Sequence, residues 1–350
     1  VLSMEGKRII TVLEEQDEFP HEPDDVTNYN ESMYLNTFDL DQEIGGWFRL
    51  GNRVNEGYAE MTVCLYLPNG QVGFMYDRPK ITTNIEMNAG GLRIDAVEPF
   101  KSLNVSYDGK VCLLDEPEQM ADPKSAFKNN PIIECAVELS WTGVSPMFGG
   151  KPTYEDGTEL IQDSAKSFAK AHYEQHGEMK GTFSVGSETF SVNGLGLRDK
   201  SWGARYWQSI NWYRWLPMIF SEDFAMMLSI ISRDEQSDNV KASGMVLEGN
   251  EYKIITDCTV ESQWDKHGYQ TGMECWAITT EGTEYNVSGE VISLIPLRNR
   301  RKSPVGTELQ TRITEAMTRY ECNGQIGMGM SEYLDQIIDD KPTGVPDYEQ

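Results

Sequence analysis

The residue types that could carry chemistry are densest in one segment, 194–207, where charged and aromatic residues follow two glycines. Asp199 lies close in sequence to Trp202 and Trp207, and a carboxyl held among indole rings is costly to ionise. Its pKa would rise, so it could donate a proton, while the indole faces could stabilise a developing cation. The segment therefore predicts the wall of a cavity in which Asp199 is a general acid.

The same residues also fit a purely structural interpretation. Asp199 could pair with Arg198 or Arg205 and lock the corner of a sheet, with the two tryptophans in the core. The aromatic residues that follow favour an apolar pocket, although stacked core aromatics would give the same pattern. They are Trp212, Tyr213, Trp215 and Phe220. The residues alone leave both interpretations open.

The four histidines limit the familiar mechanisms. His172 and His176 have the i, i+4 spacing by which zinc sites use one helical face, but the residues between them lack the glutamate of the HExxH motif. The segment also lies where a predicted helix gives way to a strand. There is no P-loop and no G-x-S-x-G elbow, and the Gly194–Gly196 pair lacks the third glycine of a dinucleotide fingerprint. We expect neither a metal nor a nucleotide cofactor.

The charge balance limits the classes of partner. The 350 residues include 30 Lys and Arg against 56 Asp and Glu, which gives a net charge of −26. Such a chain repels nucleic acid and anionic leaflets, because both are bound through clustered basic residues. One basic cluster, 298–302, has the composition of a solvated turn. We expect no nucleic-acid partner; oligomeric state is not predicted.

The apolar content, at 39%, is sufficient for one or two ordinary cores. The longest apolar runs fall short of the roughly 18 residues that a membrane span requires. Six cysteines are scattered singly, and the first eleven residues lack the apolar core of a signal peptide. These features predict a cytoplasmic chain without a membrane span, whose thiols are free and buried.

Period-two patterns predict that most of the chain forms strands. From Tyr58 to Leu67 apolar and polar residues alternate, which indicates a half-buried strand. Pro68–Gly70 supplies a turn, and 71–76 returns as a second strand. Similar hairpins surround Gly186-Ser187 and Asn323-Gly324. Many short strands without βαβ alternation indicate an antiparallel sandwich or barrel architecture.

One stretch has a helical period, Tyr154–Ala171, where Leu160, Ser164, Phe168 and Ala171 recur at helical spacing. It lies in the middle of the chain and would join two β-rich halves. A single small barrel would be overfilled by 350 residues. Two β domains, divided near residues 150 to 175, are therefore expected.

Four motifs in order carry a resemblance to a known family. They are Gly45–Arg53, His172–Gln175, Arg198–Gly203, and the closing hairpin from Tyr320 to Tyr333 with its glycines. In these the chain resembles the two-domain lipocalin-like proteins related to AttH and to carotenoid 1,2-hydratase. The resemblance implies an all-β fold of two lipocalin-like (calycin) antiparallel β-barrel domains joined by a short helical connection. Residues 1–30 would form an acidic arm, 31–165 the first barrel, and 166–345 the second, which carries the RDxSWG motif.

The resemblance also implies an activity. The family's hydratases add water to an isolated alkene by protonating it to a tertiary cation, without a cofactor. Asp199 stands at the family's aspartate position. Two neighbours depart from the family pattern, since Lys200 stands where relatives often carry His and Leu197 where carotenoid hydratases carry Tyr. Carotenoid specificity is therefore not implied.

Two functions from different classes follow. The first is a cofactor-independent acid–base enzyme, a hydratase, dehydratase, cyclase or isomerase, that acts on an isoprenoid-, terpenoid- or steroid-like substrate. Asp199 would be the acid, and Glu174 or Glu332 would position water or take the proton back. The expected substrate-binding residues are Trp202, Trp207, Tyr173, Tyr213, Trp215, Arg198 and Arg205.

The alternative is a lipocalin-like carrier or sensor that binds an apolar small molecule at a barrel mouth without chemistry. The same carboxylates would then be members of structural ion pairs. Carboxylates within aromatic-rich strands favour the enzyme, because a carrier has no need of their desolvation cost.

Overall fold

The computed structural model describes residues 6–162, 169–206, 210–233, 240–303 and 305–346. Twelve strands of these ranges belong to a first sheet: β1 Ile9–Val12, β2 Tyr29–Asp39, β3 Ile44–Arg53, β4 Tyr58–Tyr66, β5 Val72–Asp77, β6 Met87–Ala89, β7 Leu92–Glu98, β8 Ser102–Leu114, β9 Ile132–Gly143, β10 Phe148–Tyr154, β11 Ala171–Val185 and β12 Glu188–Ala204. Nine described strands belong to a second: β13 Trp212–Ser221, β14 Phe224–Ser232, β15 Val240–Glu248, β16 Glu251–Trp264, β17 Gln270–Thr279, β18 Glu284–Lys302, β19 Glu308–Cys322, β20 Gln325–Ile338 and β21 Lys341–Pro342.

Helical segments are short. A single α-helix is present among the described residues, α1 at Pro123–Asn129, and the side chain of Asp122 caps its N-terminus. Single 3₁₀ turns occupy Glu15–Glu18, Val54–Glu56, Pro68–Gly70 and Pro117–Ala121. Among the described helices, none is long and apolar enough to cross a membrane.

Both sheets are antiparallel, and each closes on itself. In the first, pairings run through β11, β12, β2, β3, β4, β5, β8 and β9 and return to β11. In the second, β13 to β20 pair in chain order, and β13 pairs with β20. The predicted all-β class with two antiparallel barrels is confirmed. All three predicted hairpins form, around Pro68–Gly70, Gly186-Ser187 and Asn323-Gly324.

Apolar side chains fill both barrels and the contact between them. Phe48 and Val63 belong to the core of the first barrel, and Leu228 belongs to that of the second. A third cluster, which includes Tyr66 and Met330, joins the outer faces of the two barrels. Strand β4, predicted to be half-buried, is therefore buried on both faces, because its outer face meets the second barrel.

The acidic N-terminal segment is part of the first barrel's structure. Arg198 donates to both carboxylate oxygens of Glu18, at 2.5 and 2.7 Å. Lys200 Nζ donates to the carbonyl oxygens of Asp17 and Phe19, at 2.7 and 3.1 Å. The segment thus covers the polar end of the barrel interior. The described part of the predicted acidic arm is therefore packed on the first barrel, and paired burial offsets the desolvation of Glu18.

The predicted helix over Tyr154–Ala171 is wrong for the described part of that range, 154–162 and 169–171. Gly157 has φ +85° and its N–H donates to the carbonyl of Tyr154 at 2.8 Å, which turns the chain back. Asp156 accepts from the N–H of Thr158 at 2.9 Å. This Asp-Gly turn chemistry prevails over the helical spacing. Residues 163–168 lie outside the described ranges.

The change from one sheet to the other comes after Ala204 and before Trp212. It differs from the predicted division at residues 165 and 166, because β11 and β12 pair with strands of the first sheet. The RDxSWG motif therefore lies in the first barrel. Whether the two barrels are independent domains stays a prediction.

Candidate active site

The outer faces of the two barrels enclose a cavity of about 760 Å³. The first barrel contributes His172, Glu174, Asp199 and Ser201, and the second contributes Tyr213, Trp215, Glu315 and Glu332. This volume suits a small organic ligand. Because the barrel interiors are filled by their cores, the site lies between the barrels and not at a barrel mouth, where the carrier hypothesis expected it.

The β11–β12 hairpin determines which residues reach the cavity. Its register, set at Gly186-Ser187, places Glu174 opposite Asp199 and His172 opposite Ser201. Directly opposed residues of antiparallel strands project from the same face, with Cβ atoms roughly 5 Å apart. Alternation along both strands therefore assembles two acids, an imidazole and a hydroxyl on one surface.

His172 and Asp199 form an ion pair. His172 Nε2 lies 2.5 Å from Asp199 Oδ2 and 3.6 Å from Glu174 Oε1. The His172 side chain retains 46% of its surface because it faces the open cavity, although it lies deep between the barrels. Burial opposes the imidazolium, but the charge and hydrogen bond of Asp199 outweigh it and raise the pKa of His172 to about 9. The imidazole is therefore charged at neutral pH.

Glu174 is the acid that the surroundings keep neutral. Its side chain is 1% exposed, and burial raises its pKa to about 8, with His172 opposing the shift and Asp199 adding to it. Its Oε2 atom has no hydrogen-bond partner among the described residues. Glu174 is thus a protonated carboxyl at the cavity wall at neutral pH, with one oxygen that the described residues leave unpaired.

A second pair of carboxyls lies on the opposite wall. Glu315 and Glu332 are directly opposed on β19 and β20, and Tyr213 donates a hydrogen bond to Glu332. Burial, and then the charge of Glu332, raise the pKa of Glu315 well above its usual range. Burial also raises the pKa of Glu332, although the hydrogen bond from Tyr213 opposes it. Two buried carboxyls in contact share a proton, so this pair can accept or release one.

The comparisons with known proteins agree with this architecture. Residues 14–337 match the family described as a domain of unknown function, DUF7064. The chain belongs to this family. No curated protein matches this DUF7064 chain.

Solved structures share the fold at low identity. An AttH crystal structure from Nitrosomonas europaea is 12% identical with a TM-score of 0.55, covering 95% of this chain and 98% of that one. The structure of CghA with Sch210972 is 9% identical with a TM-score of 0.52, and the match covers 93% of this chain and 98% of that one. Kievitone hydratase from Nectria haematococca is 9% identical with a TM-score of 0.50, and the match covers 95% of this chain and 94% of that one. The AttH-like resemblance of the sequence is confirmed for the fold.

The predicted binding residues of this DUF7064 chain divide between two faces. Tyr213, Trp215 and Arg205 line the cavity, and their contact with substrate stays a prediction. Arg198, Tyr173 and Trp202 were also expected to contact substrate, and this is corrected: they lie on the inner face of β11 and β12. The reason is the period of two, which turns them toward the N-terminal segment. There Trp202 stacks on His21 with centroids 4.1 Å apart. Trp207 lies outside the described residues.

The expected surroundings of Asp199 are also corrected. Its partner is His172 and not a cage of indoles, because Trp202 projects from the other face. Arg198 cannot pair with Asp199 for the same reason. The basic cluster predicted to be a solvated turn is instead the end of strand β18, and its residues Arg298 and Arg300 line the cavity.

Three of the cavity side chains have the composition of a metal site. One ligand atom each from His172, Glu174 and Asp199 lies within 4.8 Å of the others. A cation needs a neutral imidazole and ionised carboxyls, whereas the pKa shifts of His172 and Glu174 favour the opposite states. His176, the other histidine of the suspected zinc spacing, instead contacts Tyr252, with Nδ1 and the hydroxyl 2.9 Å apart. The absence of a metal stays a prediction.

The sequence did not predict an acid–base role for two residues of the site. His172 was considered only as a zinc ligand, and Glu315 was not considered. The signal for both was hairpin register: the turn at Asn323-Gly324 carries Glu315 opposite Glu332, and the turn at Gly186-Ser187 carries Glu174 opposite Asp199.

Proposed function

We propose that the chain is a cofactor-independent acid–base enzyme of the hydratase, dehydratase, cyclase or isomerase type that acts on a hydrophobic small molecule. The observation that carries the proposal is Glu174, a buried carboxyl at the cavity wall whose pKa is raised to about 8 and whose Oε2 has no hydrogen-bond partner among the described residues. A proton donor that is still protonated at neutral pH is what such chemistry needs. The shared fold with kievitone hydratase, a hydratase by name, supports it.

Each wall of the cavity has a part in the proposed reaction. In the hydration direction Glu174 gives its proton to one carbon of a C=C bond, and water adds to the cation that forms. The proton released by that water passes to the Glu315–Glu332 pair or returns to Glu174, so that atoms and charge balance. The Asp199–His172 ion pair holds the hydrogen-bonding surroundings of Glu174 in place. Asp199 thus orients the groups around Glu174, and Glu174 is the proposed general acid in place of Asp199.

The lining supports an apolar substrate. Aromatic rings along both walls, including Trp47, Phe74 and Trp215, offer faces that stabilise a cation. Met227, Ile231 and Leu297 add aliphatic surface. The substrate class of the proposal is an isoprenoid-, terpenoid- or steroid-like molecule that fits about 760 Å³.

The carrier alternative accounts less well for Glu174. Affinity for an apolar ligand gains nothing from a buried carboxyl with an unsatisfied oxygen, which lowers stability. The carrier is therefore kept as an outcome of the test and not as a second proposal.

The test begins with ligands found by thermal shift in a panel of terpenes and steroids. Each is incubated with the protein, and mass spectrometry records a gain or loss of one water, while chromatography records isomers. Glu174→Gln is expected to lower turnover at least 100-fold, because it keeps the shape but holds no acidic proton, and to leave ligand binding unchanged.

Glu178→Gln is the matched control, since Glu178 lies on the same strand, pairs with Lys180 and does not line the cavity. Its turnover should equal that of the wild type. Unchanged turnover in Glu174→Gln would overturn the assignment of the acid. Binding without conversion across the whole panel would establish the carrier instead.

A further inference from the structure

The cavity wall on the first barrel carries a row of small polar residues that crosses four neighbouring strands. Strand register places Ser201 on β12 opposite Ser32 on β2, Ser32 opposite Gly51 on β3, and Gly51 opposite Glu60 on β4. These four residues are called the polar row. Ser201, Ser32 and Glu60 line the cavity. Glu174 lies on β11, so β12, β2 and β3 separate it from Glu60 in the sheet.

Glu60 is a buried carboxylate at the end of the polar row. The residue is 5% exposed, and its Oε1 has no hydrogen-bond partner among the described residues. Burial opposes its charge, but four arginines outweigh burial and lower its pKa: Arg49, Arg53, Arg301 and Arg78. The ion pair with Arg53, with 3.9 Å between Oε1 and Nη1, is longer than a hydrogen bond. An ionised carboxyl only accepts hydrogen bonds, so Glu60 Oε1 requires a donor.

A buried amide beside the polar row is a second and independent observation that points to a ligand. Asn30 is 1% exposed, and neither Oδ1 nor Nδ2 of its side chain has a hydrogen-bond partner among the described residues. A Cβ placed on Gly51 would lie 3.0 Å from Asn30 Oδ1, so the amide lies over the bare glycine of the row. Buried polar atoms in native proteins are almost always paired. Asn30 therefore adds a donor and an acceptor one strand away from the carboxylate of Glu60.

The donors and acceptors of these side chains match a neutral hydroxyl group. A hydroxyl has an O–H that can donate to Glu60 and lone pairs that can accept from Asn30 Nδ2. A carboxylate or phosphate ligand brings acceptors only, so it leaves Glu60 without a donor. An ammonium group brings donors only, so it leaves Nδ2 of Asn30 without an acceptor. Ser32 and Ser201, whose Oγ atoms lie 2.9 Å apart, keep this part of the cavity polar and uncharged.

We infer that the polar row and Asn30 bind a hydroxyl group of the substrate, at the opposite end of the molecule from the carbon that Glu174 protonates. The inference rests on the proposed function for what occupies the rest of the cavity. Three strands lie between Glu174 and Glu60, and neighbouring strands are about 4.8 Å apart, so the substrate is an elongated alcohol. Tyr34 on β2 and Trp47 on β3 line the cavity between those two strands. Their rings would contact the apolar body of an isoprenoid or steroid alcohol.

The test compares alcohols with their methyl ethers, which keep the oxygen but lack the donor. The probes are farnesol, pregnenolone, the methyl ether of each, and farnesoic acid. Calorimetric titration measures their affinities for the wild type, and for Glu174→Gln so that turnover does not interfere. At least one alcohol is expected to bind tenfold or more tightly than its ether. Equal affinity within both pairs, tighter binding of farnesoic acid than of farnesol, or no binding of either alcohol up to its solubility limit overturns the inference.

Two variants assign the preference to these residues. Asn30→Leu should reduce the advantage of the alcohol over its ether at least threefold without lowering the melting temperature, because the amide has no hydrogen bond to lose among the described residues. Glu60→Gln should reduce it to threefold or less. Glu56→Gln is the matched control, since it removes the same charge from the surroundings of Arg53 but does not line the cavity, and it should retain the preference.

The outcomes separate the hydroxyl site from the proposed reaction. A preference for the alcohol that survives both Asn30→Leu and Glu60→Gln overturns the inference. Conversion of alcohols and ethers at equal rates also overturns it and leaves the acid–base proposal standing. A preference for the alcohol that depends on Asn30 and Glu60, without conversion of any probe, supports the hydroxyl site alone.

Discussion

The two faces of the β11–β12 hairpin bury charged residues in opposite ways. On the inner face Arg198 is paired through two hydrogen bonds with Glu18, and the ammonium of Lys200 donates to two carbonyl groups. On the outer face Glu174 keeps one oxygen without a protein partner among the described residues. The charged groups on the inner face thus receive partners from the N-terminal segment, while Glu174 on the cavity face keeps one carboxyl oxygen unpaired.

The difference divides one motif between two faces. Arg198, Lys200 and Trp202 lie on the inner face of the RDxSWG segment, and Asp199 and Ser201 lie on its cavity face. Variants on the inner face should therefore affect unfolding, and variants on the outer face should affect turnover, binding and pH dependence.

The largest effect is expected from breaking the inner face. Arg198→Met should lower the free energy of unfolding by about 3–5 kcal/mol, since it leaves Glu18 buried without its partner. Urea unfolding at pH 7 measures it. The double variant with Glu18→Gln should recover part of the loss, because it removes the uncompensated charge. A loss below about 1 kcal/mol would show that the Arg198–Glu18 pair does not stabilise the first barrel.

Next in size is the pH dependence of the outer face. The unfolded chain ionises Glu174 near pH 4.5, while the folded chain keeps the proton to about pH 8, so this group lowers stability as pH rises between those values. His172, with its pKa raised from 6.5 to about 9, acts in the same direction over that higher range. Glu174→Gln should therefore stabilise the protein at pH 8 by at most about 4 kcal/mol and leave it unchanged at pH 4.

Thermal and urea unfolding at the two pH values check this prediction, with Glu178→Gln as the control that should show no such difference. A Glu174→Gln protein that is equally destabilised at both values would contradict the raised pKa.

The smallest effect is expected from a matched pair of tryptophans. Trp202→Phe reduces the ring area that stacks on His21 and should cost about 1 kcal/mol of stability without a change in ligand affinity. Trp215→Phe alters the cavity wall, so it should weaken ligand binding severalfold with little effect on unfolding. Thermal unfolding and calorimetry on both variants sharpen the comparison, and an exchange of the two phenotypes would reverse the assignment of the faces.

Hairpins show how far the sequence reached into the site. Turn chemistry at Gly186-Ser187 and Asn323-Gly324 was recognised, and register from those turns determines the Glu174–Asp199 and Glu315–Glu332 pairs. The Glu174–Asp199 pair was not predicted, because a helical spacing before Ala171 hid how far β11 extends. The helical spacing of apolar residues does not reveal that an Asp-Gly turn interrupts the same segment.

The sequence by itself determined the all-β class, the three hairpins and the AttH-like fold. These follow from local alternation, turn residues and motif order, which are properties of neighbouring positions. Only the tertiary structure decided that the cavity lies between the barrels, that Arg198 and Trp202 face away from it, and that arginines gather around Glu60. Those features arise where distant strands meet, and the pKa of a buried acid depends on every group packed around it.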